Sequence, residues 1–318
     1  MFGYPAATPT GTLMNRFETD SEGKSFNMKN YFVVVLYNSS DAIRCLWQCL
    51  LLQTTSDWRL IVIDNGGSGD AGAFLIGQSD SRVTLLVNSE NLGFGRAANQ
   101  GLRLALAQEA DRVILLNPDV TFDPDFLAEM LSQWTHLQAD VIAPRIMYLN
   151  NPEKAWYAGG NLDYGWIFSN SHNDYSVDGP STKIVDFATG CCLGLTRSIL
   201  QTVGLFDERF FVYWEDVDLC IRLKAIGTAI HYVAQPMLFH EVGGSTDGDR
   251  GPAGFRLYYK SYAQLIKKHF GQRRAVMTMV RVSMREFNRS GQIPGHGQRV
   301  FQSLVQGFLA SVPPKSLR

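Results

Sequence analysis

Three carboxylates lie within four residues of one another, directly after an aromatic run in the segment 210–222. They are Glu215, Asp216 and Asp218. Apolar residues recur after them at helical spacing and a glycine follows, so the pattern predicts a helix over about 215–225. The three acids then occupy its first turn, where the helix dipole favours negative charge.

Two interpretations of these acids are open. They could only cap the helix and match its dipole. Alternatively, the aromatic residues before them, which end with Tyr213 and Trp214, would exclude water from one wall of a site. An apolar wall raises the pKa of a carboxyl group toward the range of a general base. Asp218 can pair with Arg222 one turn later, which favours a structural role for it. The two preceding acids therefore remain the candidates for chemistry.

The elements that must position these acids are predicted from buried-strand patterns in the first half of the chain. Runs rich in valine, isoleucine and leucine cover 31–36, 59–64, 82–87 and 112–116. They alternate with helical segments, which is typical of an α/β fold with a mostly parallel sheet flanked by helices. Ligands of such sheets bind beyond the carboxyl ends of the strands. The polar loops at those ends are 37–40, 64–70, 88–99 and 117–119.

The segment Gly93–Ala98 matches the pattern G-x-G-x-x-A, which occurs in dinucleotide-binding proteins. A dinucleotide site is disfavoured, because a loop separates the glycines from their strand and that strand is the third, not the first. We expect instead a helix over about 96–108, where the first amides and the Arg96 side chain could meet a diphosphate.

Asp119 follows the strand predicted over 112–116, and His240 follows a further strand predicted over about 229–233. Pro118 ends the pairing of its strand and presents Asp119 at the tip. Asp119 could be a turn residue or a metal ligand. His240 precedes a glycine-rich loop to about residue 254, and it could be a core histidine or a metal ligand.

Between these positions, residues 156–178 are rich in glycine, asparagine and aromatic residues, with little helical pattern. This composition predicts a mixed β and loop region that forms an acceptor-side wall. A strand over 183–187 and a passage of small residues at 188–194 follow, leading into a helix from about Arg197.

Bulk composition is that of a globular protein, with 318 residues, 45% hydrophobic and 19% charged. Five cysteines without a CxxC pair indicate a reduced, cytoplasmic compartment. The first 30 residues lack the pattern of a signal peptide and are predicted to be a polar extension. No apolar run reaches the length of about 18 residues that a membrane span needs.

The charge is unevenly distributed. The segment from Phe255 to the end carries twelve basic residues and one acid, whereas the whole chain has a net charge of −1. Apolar and basic residues interleave at helical spacing over 255–270 and 275–287. The first helix could simply pack on the catalytic domain. For the second, an anionic membrane surface is the favoured partner; nucleic acid is disfavoured because no recognition motif accompanies the charge.

Together these motifs resemble family-2 glycosyltransferases with a GT-A fold, especially the bacterial rhamnosyl- and galactofuranosyltransferase branch. The resemblance extends over about 31–270. The matching segments are 35–38, 62–68, 91–101, 115–119, 188–190, 214–222 and 240–246.

The resemblance implies a nucleotide-sugar donor and a divalent cation, Mn²⁺ or Mg²⁺. It implies that Asp119 and His240 hold the metal and that Asp216 is the catalytic base, with Glu215 beside it. Asn117 departs from the family, in which an aspartate is commoner there. The acceptor-side residues would be Thr189, Gly190 and Trp214. The residues assigned to donor binding are Tyr37, Asn38, Asp64, Asn65, Arg96, Asn99, Asn117 and Asp119.

We therefore expect a polar extension (1–30), a catalytic domain (31–270) and a basic amphipathic helical tail (271–318). Within the domain, 31–145 would bind the donor and 146–254 the acceptor. The expected activity is inverting, metal-dependent transfer of rhamnose from dTDP-rhamnose to a hydroxyl of a lipid-linked or polysaccharide acceptor. The expected location is the inner face of a bacterial cytoplasmic membrane.

Other functions stay open on the sequence. Galactofuranose or N-acetylglucosamine from a UDP donor could be transferred instead. A nucleotidyltransferase is disfavoured because 37–40 lacks a glycine- and lysine-rich phosphate loop. A regulator that only binds nucleotide sugars would not need Glu215 and Asp216 beside its pocket.

Overall fold

The computed structural model describes residues 28–165, 168–172, 181–241, 252–289 and 296–310. Most of the predicted polar extension lies outside these ranges. So do the glycine-rich segment after residue 241, residues 166–167 and 173–178 of the 156–178 region, and the last eight residues.

Twelve strands occur in the described residues. They are β1 (Asn30–Leu36), β2 (Arg59–Asn65), β3 (Val83–Asn88), β4 (Arg112–Leu116), β5 (Val120–Phe122), β6 (Val141–Tyr148), β7 (Asn151–Tyr157), β8 (Asn161–Asp163), β9 (Ser169–Ser171), β10 (Thr182–Val185), β11 (Cys192–Thr196) and β12 (Ile230–His240).

Eight helices accompany them in the same ranges. They are α1 (Ser40–Leu51), α2 (Asp70–Gln78), α3 (Phe94–Ala107), α4 (Phe126–Leu137), α5 (Arg197–Val203), α6 (Glu215–Ala225), α7 (Pro252–Arg289) and α8 (His296–Ala310). The predicted helix over 215–225 is confirmed. The helix expected from residue 96 begins two residues earlier.

One central sheet organises the domain, in the order β10-β12-β6-β11-β4-β1-β2-β3. The strands β4, β1, β2 and β3 are parallel, as their sequences predict. Helix α3 packs against β1 and β2. The buried runs of these strands form the core, because parallel strands are covered on both faces. The carboxyl ends of β1, β2 and β4 therefore meet at one edge.

The other half of the sheet is mixed. Strand β11 runs antiparallel to β4 and β6, whereas β12 runs parallel to β6. The strand expected over about 229–233 continues to His240 and also pairs with β5. This extension carries the histidine to the edge where β4 ends.

The C-terminal helices α7 and α8 pack against each other and against the α/β domain. Helix α7 is broken at Gly271, where φ is +80° and ψ is 171°. Its second arm (272–289) turns back along its first arm (252–270), so that Tyr259 lies beside Arg285. Helix α8 packs on both arms; Lys267 Nζ donates to the Phe308 carbonyl oxygen at 2.8 Å.

A buried carboxylate ties this unit to α6. Asp218 is fully buried and pairs with Arg222 at 2.9 Å, as the sequence predicts. It also accepts hydrogen bonds from Lys268 (2.5 Å) and contacts His269 (2.7 Å), both on α7. The hydrogen bond with His269 and the charges of Arg222 and Lys268 hold the pKa of Asp218 below its ordinary value, against the effect of burial. Because a buried charge without partners is costly, this cluster fixes α7 against the start of α6.

No described helix is both long and apolar enough to cross a bilayer. The second arm of α7 nevertheless exposes an apolar stripe. Its members are Val276, Met277, Val280, Met284 and Phe287, with 46%, 50%, 46%, 62% and 53% of their surface accessible.

Candidate active site

A cavity of about 550 Å³ opens between the carboxyl end of β4 and the start of α6. It gathers residues from distant parts of the chain. The predicted site residues that line it are Asn117, Asp119, Thr189, Gly190, Trp214, Glu215, Asp216 and His240.

Strand pairing brings the two predicted metal ligands together. In the β5–β12 register His240 faces Val120, and the Glu241 amide donates to the Asp119 carbonyl oxygen at 2.9 Å. His240 Nε2 then lies 3.2 Å from Asp119 Oδ1. Asn117 Nδ2 is 3.5 Å from the same ring nitrogen. Both predicted ligands are at least 90% buried.

These two side chains fit a divalent cation. A separation of 3.2 Å suits two neighbouring ligands that are each roughly 2.1 Å from one ion. Carboxylate oxygen and imidazole nitrogen are also suitable donor atoms. No group of three or more histidine, cysteine or acidic side chains with metal-binding geometry occurs in the described ranges.

The start of α6 is held in an unusual backbone conformation. Tyr213 and Trp214 both have positive φ, at 67° and 69°. Such conformations cost about 1–3 kcal/mol each and persist only where the surroundings impose them. Here the Phe94 amide donates to the Phe211 carbonyl oxygen at 2.7 Å. Gly93, at φ +84°, leaves the space for this contact, since a Cβ there would overlap that oxygen.

Asp216 is fixed in the cavity wall by backbone donors. The Gly190 amide donates to Oδ2 at 3.2 Å, and the Val217 amide donates to Oδ1 at 2.7 Å. Burial is the main cause that raises the pKa of Asp216 to about 6, while these amides oppose the rise. The carboxylate is therefore largely ionised at pH 7 and has the proton affinity of a useful base.

Glu215 differs from its neighbour. It is 6% exposed, and burial together with Asp216 raises its pKa to about 8, so it carries a proton at pH 7. Its Oε2 and the indole nitrogen of Trp214 have no hydrogen-bond partner among the described residues. An unpaired buried donor or acceptor is costly, so both atoms suit a ligand rich in hydroxyl groups.

Three of the predicted donor residues lie at the neighbouring strand ends, outside the cavity. Asp64 accepts a hydrogen bond from the Gly67 amide at 3.1 Å, and a Cβ at Gly67 would lie 3.2 Å from the Asn38 nitrogen. Tyr37 is 39% exposed beside them. These residues form a polar edge at β1 and β2; their contact with a donor stays a prediction.

Two asparagines assigned to donor binding make hydrogen bonds within the protein. Asn99 is fully buried, and its amide exchanges hydrogen bonds with Phe206 at 2.9 and 3.0 Å. Asn65 accepts from Asn88 and from the Leu92 amide. These hydrogen bonds hold loops in place inside the protein. Contact with a donor stays a prediction for both residues.

Arg96 lies at the start of α3 but does not line the cavity. Its side chain is 55% exposed, and Nε is 3.9 Å from a Glu208 carboxylate oxygen. Contact with a diphosphate stays a prediction for it.

The sequence reasoning missed most of the aromatic lining. The sequence places Trp156 only within the predicted acceptor-side wall. In the structure its ring packs against His240, at 4.7 Å between ring centroids. The sequence pattern predicts an amphipathic helix over 255–270, but it does not place the aromatic residues of that helix in the site. The aromatic or imidazole residues added by the structure are Phe94, Trp156, His172, Phe187, Phe255, Tyr258 and Tyr259.

Known proteins share this architecture. A solved structure of GalNAc-T7 with UDP, GalNAc and Mn²⁺ superposes with a TM-score of 0.59 and 14% identity, over 89% of this chain and 55% of that one. This likeness concerns the fold alone.

Curated relatives are similar in sequence. An N-acetylglucosaminyl-diphospho-decaprenol L-rhamnosyltransferase of Mycobacterium tuberculosis (strain H37Rv) is 29% identical over 76% of this chain and 86% of its own length. The galactofuranosyltransferase GlfT1 of Mycobacterium tuberculosis (strain CDC 1551) is 25% identical over 67% and 70%. The family model "Glycosyl transferase family 2" matches residues 31–204, more than half of the chain. The protein is therefore a glycosyltransferase of family 2 with a GT-A fold.

Proposed function

We propose that this enzyme transfers rhamnose from dTDP-rhamnose to a hydroxyl group of a lipid-linked glycan, with inversion at the anomeric carbon. The observation that carries the proposal is the position of Asp216. Its carboxylate is held by the Gly190 amide in the same cavity as Asp119 and His240. A base and a pair of metal-binding side chains thus share one site.

Asp216 accepts the proton of the acceptor hydroxyl as that oxygen attacks the anomeric carbon. Its pKa of about 6 leaves it ionised at neutral pH, so it is ready for this step. Glu215 remains protonated and binds hydroxyl groups without competing for the proton. One base and no covalent nucleophile correspond to a single displacement, which inverts the configuration.

Asp119 and His240 would hold the divalent cation, with Asn117 beside them. A hard cation offsets the negative charge that gathers on the leaving nucleoside diphosphate. Because the Asp119 and His240 side chains are buried, they would hold the cation with little access to water.

The choice of rhamnose depends on the M. tuberculosis rhamnosyltransferase, which is more similar than the galactofuranosyltransferase. Galactofuranose or N-acetylglucosamine from UDP is the alternative. A lipid-linked acceptor is supported by the name of the same relative, whose substrate is a diphospho-decaprenol. The aromatic wall and the unpaired atoms of Trp214 and Glu215 suit a sugar acceptor.

The exposed stripe of α7 would rest on an anionic membrane, on the cytoplasmic face. Its apolar side chains are accompanied by Arg273, Arg281 and Arg285 on the same arm. Each basic residue near anionic lipid contributes about 1 kcal/mol, and the apolar face adds burial. This orientation would bring the enzyme to a lipid-linked acceptor.

Sugar transfer can be tested directly. The purified chain would be incubated with Mn²⁺, an N-acetylglucosaminyl-diphospho-lipid and either dTDP-rhamnose or a UDP-sugar, and the product identified by mass spectrometry. A rhamnosylated lipid formed only from dTDP-rhamnose would support the proposal. A product from UDP-galactofuranose or UDP-N-acetylglucosamine alone would establish the alternative donor.

A further inference from the structure

Side-chain amides fix the loop that joins β3 to α3. Asn65, the last residue of β2, is 2% exposed and donates from Nδ2 to Asn91 Oδ1 at 3.0 Å. Its Oδ1 accepts hydrogen bonds from the Leu92 amide at 3.1 Å and from Asn88 Nδ2 at 3.0 Å. Asn88 is the last residue of β3. The loop is therefore bound to the ends of two neighbouring strands.

Asn91 determines how this loop enters α3. Its Oδ1 also accepts a hydrogen bond from the Gly93 amide at 2.8 Å. A side-chain oxygen that binds the amide two residues later closes an Asx turn. The turn after β2 packs closely on the same place, since a Cβ at Gly66 would lie 2.6 Å from the Asn91 nitrogen. Asn91 thus helps to hold Gly93 at its φ of +84°.

Phe94, the first residue of α3, contacts both supports of Asp216. Its amide donates to the Phe211 carbonyl oxygen at 2.7 Å, which holds the segment before α6. Its ring lies beside Gly190, because a Cβ there would be 3.6 Å from Phe94 Cε1 and 3.8 Å from Asp216 Cβ. The Gly190 amide in turn donates to Asp216 Oδ2 at 3.2 Å. The placement of Phe94 therefore bears on the placement of the carboxylate.

We propose that Asn91 is a positioning residue for Asp216. It does not line the cavity; it acts through Gly93 and Phe94, which fix the backbone on both sides of the carboxylate. A displacement of about 1 Å in a catalytic group can lower the rate by about 10²-fold, so a support outside the cavity can control turnover. The inference rests on the proposed role of Asp216 as the base.

Transfer rates and donor binding separate positioning from a general loss of structure. Asn91→Ala should lower kcat by about 10-fold or more while calorimetry shows retained binding of dTDP with Mn²⁺, because the carboxylate moves and the donor contacts stay. Asn91→Asp keeps an acceptor oxygen for the Gly93 amide and for Asn65, so it should restore most of kcat. A wild-type kcat in Asn91→Ala would overturn the inference.

Gln100→Ala is the matched control. Gln100 exchanges two hydrogen bonds of 2.9 Å with Asn88 in the same network, but it makes no hydrogen bond to Asn91 or Gly93 among the described residues. Its loss should lower stability in urea and leave kcat unchanged. An equal loss of kcat in Gln100→Ala and Asn91→Ala would assign the effect to the network as a whole and overturn a specific role for Asn91.

A double-variant cycle tests whether Asn91 acts through the base. In the Asp216→Asn background, Asn91→Ala should lower kcat by no more than about twofold, because no proton-accepting carboxylate is left to position. Full multiplication of the two separate losses would show that Asn91 acts independently of Asp216, which would overturn the inference. Near-normal turnover of Asp216→Asn alone would refute the proposed base and the inference with it.

Amide hydrogen exchange gives a readout that needs no sugar transfer. Asn91→Ala should speed exchange in 188–194 and 211–218 by about 10-fold or more, because the Gly190 and Val217 amides lose a fixed carboxylate partner. Gln100→Ala should exchange like the wild type there. Unchanged exchange in Asn91→Ala would overturn the inference. Faster exchange in an enzyme that forms no product from dTDP-rhamnose would mean that the proposed donor is wrong and the positioning role stands.

Discussion

The Gly190 amide donates a hydrogen bond to Asp216 Oδ2 at 3.2 Å, across 26 residues of chain. This contact joins the passage before β11 to the first turn of α6. It holds one carboxylate oxygen in a fixed direction and opposes the rise in pKa that burial causes. The same backbone group therefore contributes to both the position and the proton affinity of the proposed base.

Asp216→Asn should lower kcat by about 10²-fold or more, because the amide keeps the shape but cannot accept a proton. Binding of dTDP and Mn²⁺, measured by calorimetry, should be retained. Glu215→Gln is the matched comparison. It should cost less, since Glu215 is already protonated at pH 7. Near-normal turnover of the Asp216 variant would refute its role as the base.

The pH dependence should report the same group. Protonated Asp216 cannot accept the acceptor's proton, so kcat/KM should fall about tenfold per pH unit below a pKa near 6. The measurement is a profile from pH 4.5 to 8, with activity re-measured at pH 7.5 after each incubation to exclude unfolding. A profile that stays flat to pH 5 would contradict the assignment.

Asp119→Ala and His240→Ala should each weaken donor binding in the presence of Mn²⁺, and EDTA should abolish wild-type transfer. The reason is that the proposed cation would be held by both of these adjacent side chains. Donor affinity would be measured by thermal shift, since a ligand that binds only the folded protein stabilises it. Activity indifferent to chelation would show that other cations offset the diphosphate charge.

Gly93→Ala should destabilise the protein and reduce activity together. The added Cβ would meet the Phe211 carbonyl oxygen, and φ is +84° there. Gly204→Ala is the control, with φ +79° and open space around it; it should cost only the backbone penalty of about 1–3 kcal/mol. Urea unfolding and turnover would be compared. Equal effects in both variants would mean that the Phe211 contact does not position α6.

The apolar stripe should carry membrane binding. Val280→Glu with Met284→Glu should keep the protein in solution when phosphatidylglycerol vesicles are pelleted at low salt, whereas the wild type should pellet. Ile76→Glu with Val87→Glu makes the same charge change at exposed apolar positions of α2 and β3, and should pellet like the wild type. Equal pelleting of both double variants would remove the stripe from the interaction.

Truncation at Gly271 would be a poorer test, because the two arms of α7 and α8 pack on one another. Removing the second arm would strip contacts from Tyr259 and from Lys267. Point substitutions on the exposed face leave that packing intact.

The sequence determined the local elements of this protein. Buried apolar runs defined β1 to β4, and helical spacing with a following glycine defined α6, because burial imposes a periodicity on nearby residues. The same local rule placed Asp218 one turn before Arg222. Motif resemblance then identified the family, which the match over 31–204 confirms. The roles that it implies for Asp216, Asp119 and His240 stay predictions.

Only the tertiary structure decided which distant residues meet. Asn117 and His240 are 123 residues apart and touch because β12 continues far enough to pair with β5. The packing of the first arm of α7 on the domain placed Tyr258 in the cavity and Lys268 on Asp218. The motif predicts that Asn99 binds the donor. In the structure its side-chain amide donates hydrogen bonds to the Phe206 carbonyl oxygen and to the Glu208 carboxylate. Pairing register and helix packing minimise free energy over the whole core, so no local pattern encodes them.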